Sequence, residues 1–301
     1  MARPSVDVVV PFKGSDPELD ELRARLKGLR LRPGDSVLVV DNTPGADRPR
    51  EGLLHAAERQ TPGYARNRGA AEGSADWLVF FDADVIPPPD LLDRYFDPSP
   101  DERTGLLGGG VVDEEVPKGG PPVARYAYLR KLMSQDDTFA YGRWSFPKTA
   151  NAACRRAAFE EVGGFREEIR SGEDADITYR LKDAGWEIER RERAAVLHRS
   201  RQTARAFATQ RLIHGAGGAW LHHRYPGVFP PRRRPGLMWW GVRTLAKGLF
   251  HAARTRDRDK AIWAVFEPLE LLSYEFGRSL PNERPLRWGR RRSRGGAEPD
   301  R

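Results

Sequence analysis

Three aspartates stand where short runs of β-branched and aromatic residues end. Asp41 follows SVLVV, and Asp82 and Asp84 follow DWLVFF as the sequence Asp-Ala-Asp. The carboxyl ends of strands form the ligand crevice of open α/β sheets, so carboxylates there face a site rather than a core. One such aspartate is more often a turn or helix cap, but the three together predict a ligand site.

The Asp82-Ala83-Asp84 sequence has a specific chemical use. Two carboxylates two residues apart at an irregular strand end can both approach one hard divalent cation, which prefers oxygen ligands. Mg²⁺ or Mn²⁺ held there would bridge and neutralise a diphosphate, making it a better leaving group. Asp-x-Asp alone is a common string, but the buried strand before it and VIPPPD after it strengthen the interpretation.

Other polar residues each allow two interpretations. Glu173 and Asp174 precede a predicted helix over 175–184, where acidic residues are favoured as caps. His198 follows a short predicted strand, where a lone histidine is more often an ordinary polar surface residue. Arg199 and Arg201 come shortly after it, and arginine binds phosphate oxygens in a bidentate fork.

The elements that must position these residues alternate between β-rich runs and helical stretches, which is typical of a parallel sheet flanked by helices. Segment 134–149 mixes Trp, Tyr, Gly and Pro and is predicted to be a shaped loop. Strands are predicted at 6–10, 36–40, 76–81, 106–112, from 151 onward, and at 186–189 and 194–198. Helices are predicted at 18–29, 89–96, 123–133, 156–162, 175–184 and 203–223.

Composition excludes several classes of protein. The chain has 301 residues, of which 39% are hydrophobic and 31% charged, enough to bury a sizeable core. A single cysteine, Cys154, excludes an intramolecular disulfide framework and a multi-cysteine zinc site, and it suits a reducing compartment. No apolar run approaches the ~20 residues of a transmembrane helix, and the first residues do not form a signal peptide. These features predict a cytoplasmic protein.

Two long blocks of the sequence resemble the family 2 glycosyltransferases of GT-A fold. The first is GYARNRGAAEGSADWLVFFDADVIPPPDLL at 63–92. The second, at 149–188, is TANAACRRAAFEEVGGFREEIRSGEDADITYRLKDAGWEI, which is similar to the acceptor-side block of that family. With VVVPF near the start and DN after the second strand, the resemblance covers roughly residues 5–215. It implies a GT-A type α/β fold, a mostly parallel mixed sheet flanked by helices.

The resemblance also implies roles for individual residues on the donor side. The backbone of Pro11 and Phe12 would form the base pocket, and Asp41 would contact the base or ribose. Asp84 would be the direct ligand of Mn²⁺ or Mg²⁺, Asp82 would face both ribose and metal, and His198 matches a late histidine that many relatives place on the metal. The remaining residues expected to bind the nucleotide-diphosphate sugar are Arg66, Asn67, Asn151, Arg199 and Arg201.

Glu173 and Asp174 match the acceptor-activating pair of the family, with Asp174 expected to be the general base. Inverting transfer requires a carboxylate that takes the proton of the acceptor hydroxyl as its oxygen attacks the anomeric carbon. The expected function is therefore inverting, metal-dependent transfer of a sugar to an acceptor hydroxyl. Lys13-Gly14 departs from the family, where a polar residue such as Asn is common, so the details of the base pocket stay open.

The C-terminal quarter differs from the rest in charge. Residues 232–301 contain 17 Lys and Arg against 8 Asp and Glu, whereas residues 1–231 are nearly balanced, with 34 and 35. We therefore predict a GT-A domain at 1–225, with a nucleotide-binding half at 1–100 and an acceptor half at 101–225. A basic, aromatic, helical extension follows at 226–301, with a linker or turn at 226–235 and a frayed tail from 290.

Three interpretations of this extension compete. Its aromatic residues could pack on the main domain, or they could dock with the basic residues on an anionic membrane surface. Binding to nucleic acid ranks last because no recognised module accompanies the charge, so no nucleic-acid partner is expected. Because many family members use lipid-linked acceptors, packing combined with membrane docking is preferred. The aromatic residues are Trp239, Trp240, Phe250, Trp263, Phe266, Tyr274, Phe276 and Trp288.

Alternatives to inverting transfer remain. A retaining transferase or a sugar nucleotidyltransferase could use a similar sheet, although the latter would carry a glycine-rich, basic loop after the first strand, and VPFKGS is sparse in both. A non-catalytic binding protein of membrane or nucleic acid would not need both acidic pairs. The expected acceptor is a lipid-linked hydroxyl or a cell-envelope glycan, met at the inner face of the membrane.

Overall fold

An eight-stranded mixed sheet organises the computed structural model, which describes residues 3–46, 49–228 and 236–283. Its spatial order is β3-β2-β1-β4-β7-β6-β8-β5, and four of the seven strand pairs are parallel. The strands are β1 (Val6–Phe12), β2 (Ser36–Asp41), β3 (Leu53–His55), β4 (Trp77–Phe81), β5 (Val85–Ile86), β6 (Thr104–Asp113), β7 (Asn151–Arg155) and β8 (Glu187–His198).

Helices cover both faces of this sheet and extend beyond its edge. A single 3₁₀ turn at Gly142–Trp144 interrupts the loop before β7. The α-helices are α1 (Asp16–Leu26), α2 (Pro62–Ala70), α3 (Leu91–Tyr95), α4 (Pro122–Arg130), α5 (Asp136–Phe139), α6 (Arg156–Glu161), α7 (Glu173–Asp183), α8 (Ala204–Arg224), α9 (Leu237–Thr255) and α10 (Arg258–Gly277). The predicted α/β class, a mostly parallel mixed sheet flanked by helices with helices after it, is confirmed.

Two adjacent inner strands, β1 and β4, carry much of the core because both of their faces are covered. Alternate residues of β1 and β4 pack into two apolar clusters, one on each face of the sheet. Val8 and Phe81 belong to one cluster, and Val9 and Phe80 to the other. Burial on both faces explains why these strands are continuous apolar runs rather than alternating ones.

Strand β1 is longer than predicted. Pro11 was expected to end it, but Pro11 and Phe12 continue the parallel pairing with β2. On the β4 side the pairing ends at Val9, so the missing N–H of Pro11 lies beyond the ladder on that side and costs no sheet hydrogen bond. The extension carries Pro11 and Phe12 to the carboxyl edge of the sheet.

The helix α2 has no counterpart among the predicted elements because it lacks an apolar stripe. Its start is capped by Thr61, whose side chain accepts from Tyr64 N. It lies close against the sheet at Gly69, where a Cβ would come within 2.4 Å of Val9 and 2.8 Å of Val40. Glycine at this position lets the helix backbone approach the strands, so small residues replace the stripe that sequence patterns detect.

The two predicted strands at 186–189 and 194–198 form one strand, β8, which also includes the charged segment between them. The pairing of β6 with β8 jumps from Gly109–Arg191 to Gly110–Ala195. The intervening residues form a bulge, which explains why the sequence pattern shows an interruption there. The bulge lets β8 run on to His198, opposite Asp113 of β6.

The C-terminal helices divide into a packed part and an exposed part. On α10, Phe266 and Trp263 lie against Tyr126 of α4, with ring centroids 5.8 and 5.4 Å apart. On α9, by contrast, Trp239 and Phe250 are about 70% exposed. Among the described helices, none combines the length and apolar character needed to cross a bilayer. Trp288, the predicted frayed tail and most of the predicted linker lie outside the described residues.

Glycines set the distance between α8 and α10. A Cβ on Gly215 would lie 2.0 Å from the carbonyl oxygen of Tyr274, and one on Gly277 would lie 2.1 Å from that of Leu212. On its other side α8 meets the loop before α7, where a Cβ on Gly217 would be 2.8 Å from Ser171 O. The helix α8 is therefore in backbone contact with both α10 and this loop.

Candidate active site

A cavity of about 1180 Å³ opens at the carboxyl edge of the sheet. One side is formed by the ends of β1 and β4 and by the start of α7. The opposite side is formed by α8 and α10. Most of the residues that the sequence singled out line it, namely Pro11, Phe12, Arg66, Asp82, Asp84, Glu173, Asp174, His198, Arg199 and Arg201.

Asp84 and His198 face each other at one end of this cavity. The His198 Nε2 atom lies 3.6 Å from Asp84 Oδ2, and the Nδ1 atom lies 3.2 Å from Asp113 Oδ1. Pairing of Val85 with His198 between β5 and β8 holds the two side chains together. Burial alone would lower the pKa of His198, but hydrogen bonds with Asp113 and Asp84 raise it to about 9.

These two residues fit a divalent cation. Asp84 Oδ1 is buried and has no hydrogen-bond partner, and a carboxylate behind a histidine is a common way to orient a metal ligand. Asp82 is oriented differently, because its Oδ1 accepts from Arg66 Nη2 at 2.7 Å. In the described ranges, no three acidic, histidine or cysteine side chains converge closely enough to form a complete cation site. Asp84 therefore fits the group as it stands, whereas His198 would have to give up a proton and Asp82 would have to turn from Arg66.

Arg66 joins the two acidic pairs. It is buried, and its Nη1 donates to Glu173 Oε1 at 2.8 Å while its Nη2 donates to Asp82. Burial raises the pKa of Glu173, and the charge of Arg66 opposes that rise. Arg66 thus links the end of β4 to the start of α7, and Glu173 is engaged in a buried ion pair.

Asp174 lines the cavity beside Glu173. Unlike Glu173, it has no close ion-pair partner among the described residues. Its Oδ1 accepts from the Ala175 N–H at 2.8 Å. Burial, followed by the charge of Glu173, raises the pKa of Asp174 to about 7. A carboxyl group with this pKa can accept a proton near neutral pH and suits a general base.

Three of the expected donor-binding residues do not reach the cavity. Asn67 donates to Phe165 O and accepts from Phe165 N, so it ties α2 to the loop after α6. Asn151 is fully buried and bridges Tyr95, Gly110 and Ala194 across the sheet. In the structure the amides of both asparagines bond to neighbouring segments of the fold, so their expected contact with the donor stays a prediction.

Asp41 is the third of these residues. Its side chain is 0% exposed, and its Oδ1 accepts from the Thr43 N–H at 3.0 Å. The next residue, Asn42, lines the cavity in its place. Asp41 thus stabilises the turn after β2, as the turn-cap interpretation of this residue predicts, and its contact with base or ribose stays a prediction.

Arg199 and Arg201 lie at the cavity mouth beside Asp84. Arg201 Nη2 is 3.6 Å from Asp84 Oδ2, and Arg199 pairs with Glu21 and, at 3.6 Å, with Glu114. Both side chains are partly exposed, at 42% and 49%. They are available to a ligand that enters beside Asp84.

The sequence analysis did not identify a group of basic side chains on the side of the cavity opposite the sheet. Lys148, Arg211 and His214 line it together with Arg170. These residues come from a loop and from α8, and no motif surrounds them. The one signal in the sequence was the spacing of Arg211 and His214, which places both on one face of a helix.

Comparisons with known proteins agree with this geometry. Residues 1–214 match the family described as glycosyltransferase like family 2. The chain is 30% identical over 261 residues to the pre-mycofactocin glycosyltransferase of Mycobacterium tuberculosis, which covers 81% of this chain and 53% of that protein. It is 31% identical over 137 residues to Glycosyltransferase AglE of Haloferax volcanii, covering 45% and 43%. The chain spans about half the length of these curated relatives.

A solved structure shares the fold over nearly the whole chain. A mannosyltransferase from Pyrobaculum calidifontis, in complex with GDP-Man and Mn²⁺, superimposes with a TM-score of 0.58 at 19% identity. The match covers 92% of this chain and 86% of that one. Because its coverage extends past residue 214, the likeness in fold includes part of the C-terminal helices.

Proposed function

The chain belongs to the glycosyltransferase-like family 2, and on that premise we propose that it is an inverting, metal-dependent glycosyltransferase that uses a nucleotide-diphosphate sugar. One observation carries the proposal. Asp174, whose pKa is raised to about 7, opens into the same cavity as the cation-fitting pair Asp84 and His198. A proton acceptor and a diphosphate-binding end in one cavity are what direct sugar transfer requires.

The donor binds along the carboxyl edge of the sheet. The nucleotide lies against Pro11 and Phe12, and the diphosphate lies toward Asp84, Arg199 and Arg201. Mn²⁺ or Mg²⁺, held by Asp84, His198 and a reoriented Asp82, would neutralise the charge that develops on the leaving diphosphate. The two arginines bind phosphate oxygens directly and add positive charge at the mouth of the cavity.

Transfer then depends on Asp174. The acceptor hydroxyl gives its proton to the Asp174 carboxylate while its oxygen forms a bond to the anomeric carbon. The bond from that carbon to the diphosphate breaks, and its electron pair leaves with the diphosphate.

A screen of donor hydrolysis tests this function. The full chain is incubated with nucleotide-diphosphate sugars of different base and sugar, with Mn²⁺, with Mg²⁺ or with EDTA. We expect metal-dependent release of nucleoside diphosphate from one donor class, lost in Asp84→Ala. The anomeric configuration of the transferred sugar then separates inverting from retaining transfer. Conversion of the donor and added pyrophosphate into nucleoside triphosphate and sugar 1-phosphate, with no release of nucleoside diphosphate, would indicate a nucleotidyltransferase and contradict the proposal.

The acceptor is lipid-linked in this proposal, and α9 supports that choice. Its exposed face carries Met238, Trp239, Val242, Leu245, Leu249 and Phe250. Arg243 and Lys247 are exposed along the edge of this face, and the opposite face packs small residues such as Gly248 against α10. An apolar face with a basic edge and aromatic residues suits the surface of an anionic bilayer. We propose a peripheral position at the inner face of the cytoplasmic membrane.

Sedimentation with vesicles tests the membrane contact. We expect binding to vesicles containing phosphatidylglycerol at low salt and weaker binding at high salt, because salt screens the basic edge. Substituting Trp239 and Phe250 by Ser should weaken binding several-fold. Phe276→Ser is the matched control, since Phe276 is 59% exposed but lies on α10. If the intact chain ignores anionic vesicles at low salt, the surface of α9 has another purpose.

A further inference from the structure

Three basic side chains converge in the cavity opposite the sheet. Arg211 is 9% exposed, and the Nη1 atom lies 3.4 Å from Glu270 Oε1. His214 follows it on the same face of α8. Lys148 enters from the loop before β7, where its Nζ donates to Ser134 O at 2.6 Å. None of these residues has a role in the donor site described above.

The hydrogen-bonding capacity of this cluster exceeds what the described residues satisfy. Arg211 Nε is buried and has no hydrogen-bond partner, and its nearest acid, Glu270, also accepts from Tyr126 Oη at 2.7 Å. The neighbouring Arg170 has a buried Nη1 without a partner as well. Buried guanidinium N–H groups left unpaired are costly, so a ligand that accepts hydrogen bonds here would bind favourably.

The charges of the cluster also act on one another. Burial, as the largest cause, lowers the pKa of Lys148 to about 8, while Asp174 and Asp137 oppose this shift and Arg211 adds to it. Burial and the charges of Arg211, Lys148 and Arg201 lower the pKa of His214 well below its usual value. This shift favours the neutral imidazole, which can donate one hydrogen bond. An anion between these groups would relieve the repulsion between Lys148 and Arg211.

We propose that Lys148, Arg211 and His214 form a phosphate-binding subsite for the acceptor substrate. This inference rests on the proposed transfer reaction and adds the class of acceptor, one that carries a phosphate group. The acceptor side is indicated because Lys148 interacts electrostatically with Asp174, whereas Asp84 lies with Arg199 and Arg201 at the donor end. Beyond the cations, Ile213, Leu271 and Trp240 line the cavity and can hold an apolar chain attached to the phosphate.

Calorimetric titration of the full chain with inorganic phosphate in EDTA tests the subsite. EDTA removes any contribution of a divalent cation to phosphate binding, and Arg199→Gln reports separately on phosphate that binds at the donor end. We expect Arg211→Gln to weaken binding by about tenfold or more, the usual worth of a charge-assisted hydrogen bond. Lys148→Gln should do the same while keeping a donor for Ser134 O. Arg205→Gln, an exposed arginine of α8, is the matched charge control.

The outcomes separate the inference from the proposed function. Unchanged phosphate affinity in both Arg211→Gln and Lys148→Gln would overturn the subsite, as would a loss in Arg199→Gln alone, which would place the phosphate at the donor end. Neither result depends on donor hydrolysis, and failure of the hydrolysis screen leaves the titration interpretable. Methyl phosphate and octyl phosphate then distinguish the sources, because tighter binding of octyl phosphate points to a lipid phosphate and equal binding to a soluble one.

Discussion

The two sides of the cavity are built by different means. The sheet side, formed by the ends of β1 and β4 and the start of α7, carries the acidic pairs Asp82–Asp84 and Glu173–Asp174. The helix side, formed by α8 and α10, contributes Arg211, His214 and aromatic residues. Strand pairing and one buried arginine fix the sheet side, whereas backbone contacts at glycines fix the helix side. We propose that the reaction takes place on the sheet side and that the helix side selects the acceptor.

The sharpest test of this division removes a carboxylate from the sheet side. We expect Asp84→Ala to abolish metal-dependent binding of nucleoside diphosphate and to leave the fold intact, because its Oδ1 has no hydrogen-bond partner among the described residues and its Oδ2 meets His198 and Arg201 only at 3.6 Å. Calorimetry with UDP and GDP, with and without Mn²⁺, measures the effect. Asp137→Ala, which removes another carboxylate lining the same cavity, is the control. Unchanged metal-dependent affinity in a folded Asp84→Ala protein would contradict the metal assignment.

The second test separates the two carboxylates at the start of α7. Asp174→Asn should lower the rate of transfer by roughly 10²–10⁴, the usual worth of general base catalysis, with donor affinity changed only a few-fold. Initial rates and donor titrations measure both quantities. Glu173→Gln is the partner variant, expected to disturb the ion pair with Arg66. Loss of transfer in Glu173→Gln but not in Asp174→Asn would mean that Glu173 is the base.

The pH dependence of the reaction should follow Asp174. Its base form is required and its pKa is about 7, so kcat/KM should rise with pH and be about a hundredfold lower at pH 5 than at its plateau. The unfolded chain releases this proton near pH 4, so the contribution of Asp174 to the free energy of unfolding falls as pH rises from about 4 to 7. A rate that is constant from pH 5 to 8 would exclude Asp174 as the base.

The helix side is tested by filling a contact between α8 and α10. Gly215→Ala would place a Cβ 2.0 Å from Tyr274 O, which should cost about 1–3 kcal/mol of unfolding free energy as the helices separate. Urea denaturation measures this loss. Gly119→Ala, where a Cβ meets nothing within 4 Å, should be nearly neutral. If the division is right, Gly215→Ala also weakens phosphate binding more than donor binding.

Sequence patterns predicted the sheet side well for a physical reason. Strands buried on both faces are continuous apolar runs. The first charged residue after such a run shows where the strand ends, so Asp82 and Asp84 could be located from the sequence. Asp174 was identified through the resemblance to the family 2 glycosyltransferases. Its place next to a predicted helix start agreed with that assignment. The membrane contact and the roles of Arg199 and Arg201 stay predictions.

The helix side could not be predicted in the same way. The helices meet through Gly215 and Gly277, which contact backbone atoms, so no apolar stripe in the sequence marks this interface. Lys148 and Arg211 line the same cavity but are 63 residues apart in the chain. The places of Asn67 and Asn151, outside the cavity lining, could not be predicted for a related reason. A polar residue next to a motif can bind a ligand or hold two segments together, and only the hydrogen bonds seen in the structure distinguish the two.

The contact of α8 with both α10 and the loop before α7 has a consequence for how the enzyme is made. The backbone carbonyl of Asn282 accepts from Arg170, and its side-chain amide donates to Ser171 O, so the loop before α7 is held by a residue 111 positions after Ser171. During synthesis the sheet and α7 leave the ribosome long before Asn282 does. The donor end can therefore form on a nascent chain, but the start of α7, which carries Asp174, acquires its final position only when α10 and Asn282 have emerged. Catalytic competence should appear late and abruptly during translation.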